Sequence, residues 1–439
     1  MDDLQARLDE LRGKHGVPGA AVAVRHGDDE TAWFSGSSSM DGGEPLDERS
    51  VFELGSVSKT YTATALMTLV ADGTLALDEP VSTYLPELPV GERAVTLRHL
   101  LDHTSGLDGD HIVDTGSEDD AIQLYVATLG DVAQVTPVGD VFSYNNTAYV
   151  LAGRLLERAT GMHWRAAVRR LLLEPLQLGD TYTSAVEVPE GQLATGHVQG
   201  EQGLSVAPAS GIPRSLEPAG GICAGVLDVV RFAGVHLPDS HLLPQALRET
   251  MSSPSVPVAD PSVGEAWGLG LSIARCRDPL VVGHDGGTVG HVASLRIVPE
   301  QRLAVAAVAN SSAGGGALIT ELVAELLREL GGVVPRPPVE PLPDSRGSAW
   351  PIGTYVREGF RIDVTTDGPR AKVAIALNQL ASAALGTSRL EGDLRATATP
   401  DVFVSNLFDP DEWTPVVLTE RSGRRYVHLN GRAHALVSG

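Results

Sequence analysis

Five prolines between residues 332 and 347, Pro335, Pro337, Pro338, Pro341 and Pro343, fall among glycines with no hydrophobic periodicity. Each proline fixes φ and withdraws a backbone donor, so the stretch can run neither as a helix nor as an interior strand, and it reads as a linker. It divides the 439-residue chain into a long region, 1–331, and a short one, 348–439. The length is ample for a sizeable buried core.

The two regions are patterned differently. In the first, residues 2–15 put Leu4, Leu8 and Leu11 on one helical face, with Asp2 and Asp3 at the positive end of the helix dipole. Gly16-Val17-Pro18-Gly19 stops that helix. Strand-like runs at 20–25 and 31–34 flank the turn formers His26-Gly27-Asp28-Asp29. A second helix is expected from Ser56 to about Asp72-Gly73, with Thr60, Ala63, Leu66, Met67 and Val70 at helical spacing. A helix-rich middle follows; strands return at 269–274, 292–298 and 303–309, and 317–330 is an apolar helix. Strands and helices at both ends bracketing a helical insertion predict an α/β fold whose sheet is assembled from distant parts of the chain. In the second region, short alternating runs at 361–365, 372–377, 401–406, 416–420 and 424–429 are separated by turn formers such as Asp367-Gly368 and Ser422-Gly423. They predict a separate antiparallel β domain, a small barrel.

Charge and cysteine content narrow the function. With 56 acidic against 33 basic side chains the net charge is −23, which argues against nucleic acid and against anionic membrane surfaces. Two cysteines, Cys223 and Cys276, are too few for a disulfide scaffold or a Cys-rich metal site, and buried thiols in a reducing compartment are expected. The start, Met1-Asp2-Asp3-Leu4-Gln5, lacks the basic segment and apolar run of an export signal, and no stretch approaches a membrane span. A cytoplasmic location is the expectation.

Only three lysines occur, Lys14, Lys59 and Lys372, against thirty arginines. Lysine can give up its proton near neutral pH and arginine effectively cannot, so a retained lysine invites scrutiny. Lys59 stands in Leu54-Gly55-Ser56-Val57-Ser58-Lys59-Thr60. On a helix Ser56 and Lys59 share a face, and a desolvated amine one turn from a serine can take its proton. A second motif is Phe142-Ser143-Tyr144-Asn145-Asn146, where a Tyr near a cation loses its proton more easily and Asn146 offers an amide to a substrate carbonyl and to Lys59. The third is Gly283-His284-Asp285-Gly286-Gly287-Thr288, just before a strand, with glycines that admit a reacting carbonyl to a backbone N–H and His284 as a polar or cationic group. Each has a plainer reading: a helix cap and surface lysine, a polar turn before a helix starting near Tyr149, and a hairpin turn with an exposed histidine.

Together, and in this order, the three motifs resemble the serine β-lactamase and penicillin-binding-protein superfamily, in its class C β-lactamase, esterase and D-aminopeptidase branch. The likeness extends to Leu100-Leu101-Asp102-His103-Thr104-Ser105-Gly106-Leu107, and to Pro218-Ala219-Gly220-Gly221 followed by Asp228 and Phe232, and it covers about residues 5–330. It implies that fold, with an antiparallel sheet and a helical subdomain. It makes Ser56 the nucleophile, Lys59 and Tyr144 the pair that activates it, Asn146 the substrate-orienting amide, and the backbone N–H groups of Ser56 and Gly287 the oxyanion hole. His284 stands where many relatives have the lysine of Lys-Thr-Gly. Asp285 departs from the usual Thr or Ser of that triplet; with Gly286 it is expected at the substrate, where its carboxylate speaks against β-lactams and free carboxylates. The acidic deacylation residue and Ser-Asp-Asn of the class A enzymes are not part of this pattern. No cofactor and no metal are implied. His99 and His103, at i and i+4, suggest a metal pair by spacing, but the match of His103 to the family's structural segment speaks against it.

Three functions compete. One is a cytoplasmic hydrolase of esters or D-amino-acid amides. Another is an acyl transferase similar to stand-alone penicillin-binding-protein-type thioesterases, which release and cyclise nonribosomal peptides and carry a small lipocalin-like C-terminal domain. The third is a catalytically silent binding relative, against which the full set of catalytic residues argues. The transferase is the expectation, with a peptide or ester substrate delivered by an acyl carrier domain. Arg165, Arg169 and Arg170, beside Trp164, form a basic helix face, which is either a solvated surface or, on so acidic a chain, a dock for such an acidic partner. Arg432 follows the turn former Asn430-Gly431 and precedes a short apolar end, 433–437; beyond a solvated turn arginine, it is expected to pair with a carboxylate or carbonyl of the peptide.

Overall fold

Strands from both ends of the long region meet in one eight-stranded antiparallel sheet. A computed structural model describes residues 3–88, 94–200, 202–274, 276, 278–343, 349–368, 370–377, 387–408 and 412–438 of the chain. The sheet runs Asp29–Gly36, Gly19–His26, Leu303–Ala309, Val292–Val298, Val282–Gly287, Ser272–Ile273, Ala266–Trp267 and Val256–Pro257. The N-terminal strand pairs with the last, Ala20 opposite Ala309 and His26 opposite Leu303. Every residue of Leu303–Ala309 is buried, which is why that strand reads as a continuous apolar run without alternation.

Both faces of the sheet are covered. The helices Leu4–Lys14 and Gly315–Gly331 pack on one, against Val22, Val305 and Ala307. On the other lie Ser58–Ala71, Asn146–Thr160 and Val226–Ala233, packed against Ala21, Leu295 and Ala306. Ser58–Ala71 is buried on nearly all sides, so a lysine in its first turn is an interior residue. The region expected as one strand at 269–274 holds only the short strand Ser272–Ile273, after a turn at Gly270, whose φ of +79° and close approach to Ala63 exclude a side chain. The His284 segment, expected as a turn, is itself the strand Val282–Gly287. Its glycines hid it, because glycine has no β propensity of its own.

The short region forms a closed barrel of eight strands, Gly353–Arg357, Phe360–Asp367, Arg370–Leu377, Arg389–Ala396, Val402–Ser405, Thr414–Arg421, Arg424–Leu429 and Arg432–Ser438. Each pairs antiparallel with the next, and the first closes on the last, Tyr355 opposite Leu436. Closure gives each of these strands a neighbour on both sides. Tyr355, Ile362, Val373, Phe403, Val416 and Val427 fill the interior. The apolar end at 433–437 is thus the closing strand rather than a loose tail. The helix before the linker ends at Gly331; along the linker Cys276 bridges to Pro335 and the Leu342 amide bonds the Ala396 carbonyl, while 344–348, on which the expected domain boundary falls, lie outside the described residues. Cys223 is buried and unpaired, whereas Cys276, expected to be buried, is half-buried. Among the described residues no helix is long and apolar enough to cross a membrane.

Candidate active site

A single tight turn, Gly55–Val57, precedes the helix Ser58–Ala71 and sets Ser56 at its head. Gly55 has φ +50°, and a Cβ there would fall 2.6 Å from the Gly287 backbone. A Cβ on Gly286 would fall on the Leu54 carbonyl and lie 3.0 Å from the Ser56 nitrogen. Only glycines let the His284 strand lie directly along the serine turn, and this brings the backbones of Ser56 and Gly287 side by side, the arrangement an oxyanion hole needs.

Lys59 is fully buried. Its Nζ lies 3.0 Å from Ser56 Oγ and donates to the Ala219 carbonyl at 2.7 Å. The rings of Tyr144 and Tyr149 flank it, with centroids at 5.0 and 5.6 Å. Burial holds the Lys59 amine well below its ordinary value; the Arg432 charge adds to that depression and Asp110 opposes it. An amine that holds its proton so weakly is suited to accept one from the adjacent serine hydroxyl.

Tyr144 differs from expectation. Burial raises its phenol above the ordinary value, by more than Ser56 and Arg432 lower it, so the resting hydroxyl keeps its proton and Lys59 is the member of the pair better placed to accept one. The Tyr144 hydroxyl is buried and faces Ser56. His284 is also buried, and its Nδ1–H donates to the Asp285 carbonyl at 2.5 Å, which leaves Nε2 as an unused acceptor. Burial, with Lys59 nearby, lowers the imidazole far below its ordinary value, so it is neutral and the cationic alternative falls. The Tyr144 and His284 rings lie 5.9 Å apart and close the same buried site around Lys59.

Three expected roles change. Asp285 sits one residue from His284 and therefore points through the opposite face of the sheet, where it pairs with Arg296 at 2.6 Å. There it borders an apolar cavity of ≈ 380 Å³ lined by Val292, Ile319, Val323 and Leu327, away from Ser56; Gly286 acts by close packing and also borders that cavity. Asn146 is the first residue of its helix, after Asn145, which caps it by accepting from the Ala148 amide at 2.6 Å. The Asn146 amide donates to Asp110 at 2.9 Å, while Lys59 is held by Ser56 and Ala219 instead. Arg432 reaches the site, its guanidinium 5.1 Å from the Tyr144 ring centroid, but its two-point pairing is with Asp110, at 2.6 and 3.1 Å. The basic face is largely neutralised as well: Arg165 forms a two-point pair with Glu217 at 2.7 and 2.6 Å, and Arg169 bonds Glu187 at 3.1 Å.

Sequence reasoning missed Asp110 and Arg357, which stand 2.7 Å apart. Asp108-Gly109-Asp110 directly follows the Leu100–Leu107 segment, and that adjacency was the one available signal. His103 was seen only as part of a motif. It has φ +61°, and its Nδ1 accepts from the Asn145 amide at 3.0 Å, fixing the backbone beside Tyr144. His99 bonds Thr96 in the cap of the helix Leu97–Leu101.

A profile described as Beta-lactamase matches residues 4–328. The chain is 37% identical to penicillin-binding protein 4 of Amycolatopsis lactamdurans over 375 residues, 81% of this chain and 97% of that protein. Among solved structures, that of SurE with D-Leu superimposes with a TM-score of 0.78 at 31% identity and covers 99% of each chain. The D-amino acid amidase from Ochrobactrum anthropi SV3 complexed with L-phenylalanine amide has a TM-score of 0.64 at 26% identity, over 75% of this chain and 98% of its own.

Proposed function

The chain belongs to the Beta-lactamase family, whose members here include a penicillin-binding protein, and from that premise we propose that it is a peptidyl acyl transferase. Lys59, in its free-amine form, takes the Ser56 proton as Oγ bonds the carbonyl carbon of a peptide thioester or ester. The oxyanion is held by the N–H groups of Ser56 and Gly287. The carbon–sulfur or carbon–oxygen bond then breaks, and the leaving group receives the proton through Lys59 and Tyr144. An amine attacks the acyl-enzyme and yields its proton to the same pair, which passes it to Ser56 Oγ as the acyl carbon–Oγ bond breaks. When the amine is the peptide's own, the product is a macrocycle, the chemistry of the stand-alone thioesterases that this chain resembles. An acyl carrier domain would deliver the peptide in the cytoplasm, by a face other than the paired Arg165 and Arg169.

The observation that carries this reading is the barrel. The D-amino acid amidase aligns along 98% of itself while covering 75% of this chain, which leaves about a quarter of this chain without a counterpart there. The SurE structure covers 99% of this chain and holds D-Leu. An added domain whose turn packs on Tyr144 suits a site that must favour an amine over water, and both neighbours direct attention to D-configured residues next to the reacting carbonyl. Hydrolysis of esters or D-amino-acid amides is the second reading, favoured by the amidase likeness.

Linear peptidyl thioesters ending in D- or L-residues, incubated with the enzyme and resolved by mass, separate the two. The transferase predicts a product lighter than the free acid by one water, formed faster from D-terminated substrates. Acid as the sole product would establish the hydrolase.

A further inference from the structure

The barrel touches the catalytic region at the most sensitive place. The Tyr144 amide donates to the Gly431 carbonyl at 2.9 Å, and the Gly431 amide donates to Asp260 at 2.9 Å. The Ala433 amide donates to Ser143 Oγ at 3.1 Å, and the Glu358 amide donates to Asp108 at 2.6 Å. At the centre is Asp110, whose side chain is 10% exposed. Its carboxylate takes Arg432 in two-point fashion, Arg357 at 2.7 Å and the Asn146 amide at 2.9 Å. Two of these partners belong to the barrel and one begins the helix that follows Tyr144.

We propose that Asp110 is a positioning residue for acyl transfer, which by gathering Arg357, Arg432 and Asn146 on one carboxylate locks the barrel turn against Tyr144 and makes the barrel part of the catalytic machinery for every substrate, small esters included. The inference rests on the serine acyl-enzyme reading above. It replaces the expectation that Arg432 serves the natural peptide alone: a guanidinium already paired with Asp110 and lying over the Tyr144 ring acts on the chemistry whatever the acyl group.

The arrangement has an electrostatic signature that plain structural support lacks. Lys59 is faced by Ser56 on its own helix turn, by Tyr144 and Tyr149, by His103 and His284, and by the charges of Asp110 and Arg432. Asp110 favours the ammonium and Arg432 disfavours it. The acid limb of kcat/KM reports the deprotonation of the essential base in the free enzyme. Asp110→Asn removes the negative charge, so Lys59 holds its proton less well and the limb moves to lower pH. Arg432→Gln removes the positive charge, so the limb moves to higher pH.

The test is pre-steady-state acylation by a small activated ester across pH, on the full chain, with fluorophosphonate labelling of Ser56 recorded alongside. We expect both variants to acylate at least about tenfold more slowly at the wild-type optimum, with limbs displaced in opposite directions, while Arg432→Lys keeps the wild-type limb. Rate losses with unmoved limbs, or limbs moving together, would overturn the inference. If Asp110→Asn does not fold, Arg432→Gln against Arg432→Lys decides by the same displacement. Unlabelled Ser56 in the wild type would instead sink the acyl-enzyme reading itself, so the two failures are distinguishable.

Discussion

The backbone amide of Tyr144 donates to the carbonyl of Gly431, 2.9 Å away and contributed by the barrel. Gly431 has φ +73°, and a Cβ there would meet both Val263, at 3.2 Å, and Tyr144 Cβ, at 3.6 Å. Gly423 has the same φ of +73° but faces open space. Gly431→Ala and Gly423→Ala therefore share about 1 kcal/mol of left-handed strain, while only the first presses on Tyr144. Acylation rates should separate them, with Gly431→Ala slowed and Gly423→Ala unchanged.

Ser56 should form the covalent intermediate. Mass spectrometry after fluorophosphonate treatment is expected to find the adduct on Ser56, and Ser56→Ala should take up none. Modification of Ser58 or Ser105 instead would refute this assignment.

Lys59 and Tyr144 are expected to work as one proton-transfer unit, with Lys59 Nζ 5.0 Å from the Tyr144 ring centroid and 3.0 Å from Ser56 Oγ. Lys59→Ala and Tyr144→Phe should each lower kcat by about 10³-fold, and the double variant by little more. Strictly multiplied losses would mean that they act separately.

The pH dependence follows from the depressed Lys59 amine. Below its pKa the ammonium cannot accept the Ser56 proton, so activity falls as pH drops through that value. Because burial holds the value well below 10.5, kcat/KM should level off well short of pH 10.5. A rise that continues to the ordinary lysine range would contradict a buried, neutral base.

Arg165 and Glu217 offer a test of stability remote from the chemistry. The Glu217 side chain is 2% exposed. Burial raises its carboxyl, and Arg165 pulls it back down. Arg165→Ala strands that carboxylate and should cost about 3 kcal/mol at neutral pH. The Glu217 pKa then rises further, so the penalty is full above that raised value. It fades as pH falls toward the unfolded carboxylate's own pKa, where both states are protonated. Thermal unfolding at pH 7 and pH 4 should show a large deficit and then a small one.

Much of this protein was legible in order along the chain. Ser56, Lys59, Tyr144 and His284 announced themselves through motifs, because serine chemistry demands those side chains at short, fixed spacings. The strands Leu303–Ala309 and Arg424–Leu429 fell where hydrophobic patterning put them, as did most of the helix Gly315–Gly331. Local backbone geometry writes such signals directly into sequence. What the sequence left open depends on residues far apart meeting with a definite register. The pleat of the strand Val282–Gly287 sends His284 to the site and Asp285 to the opposite face, and no pattern of glycines announces that strand. The barrel closes only because Gly353–Arg357 finds Arg432–Ser438 at the other end of the domain. Asp110 and Arg432, hundreds of positions apart, become one ion pair over Tyr144 for the same reason: side-chain pairing across domains is set by how two folded surfaces dock, which no local propensity encodes.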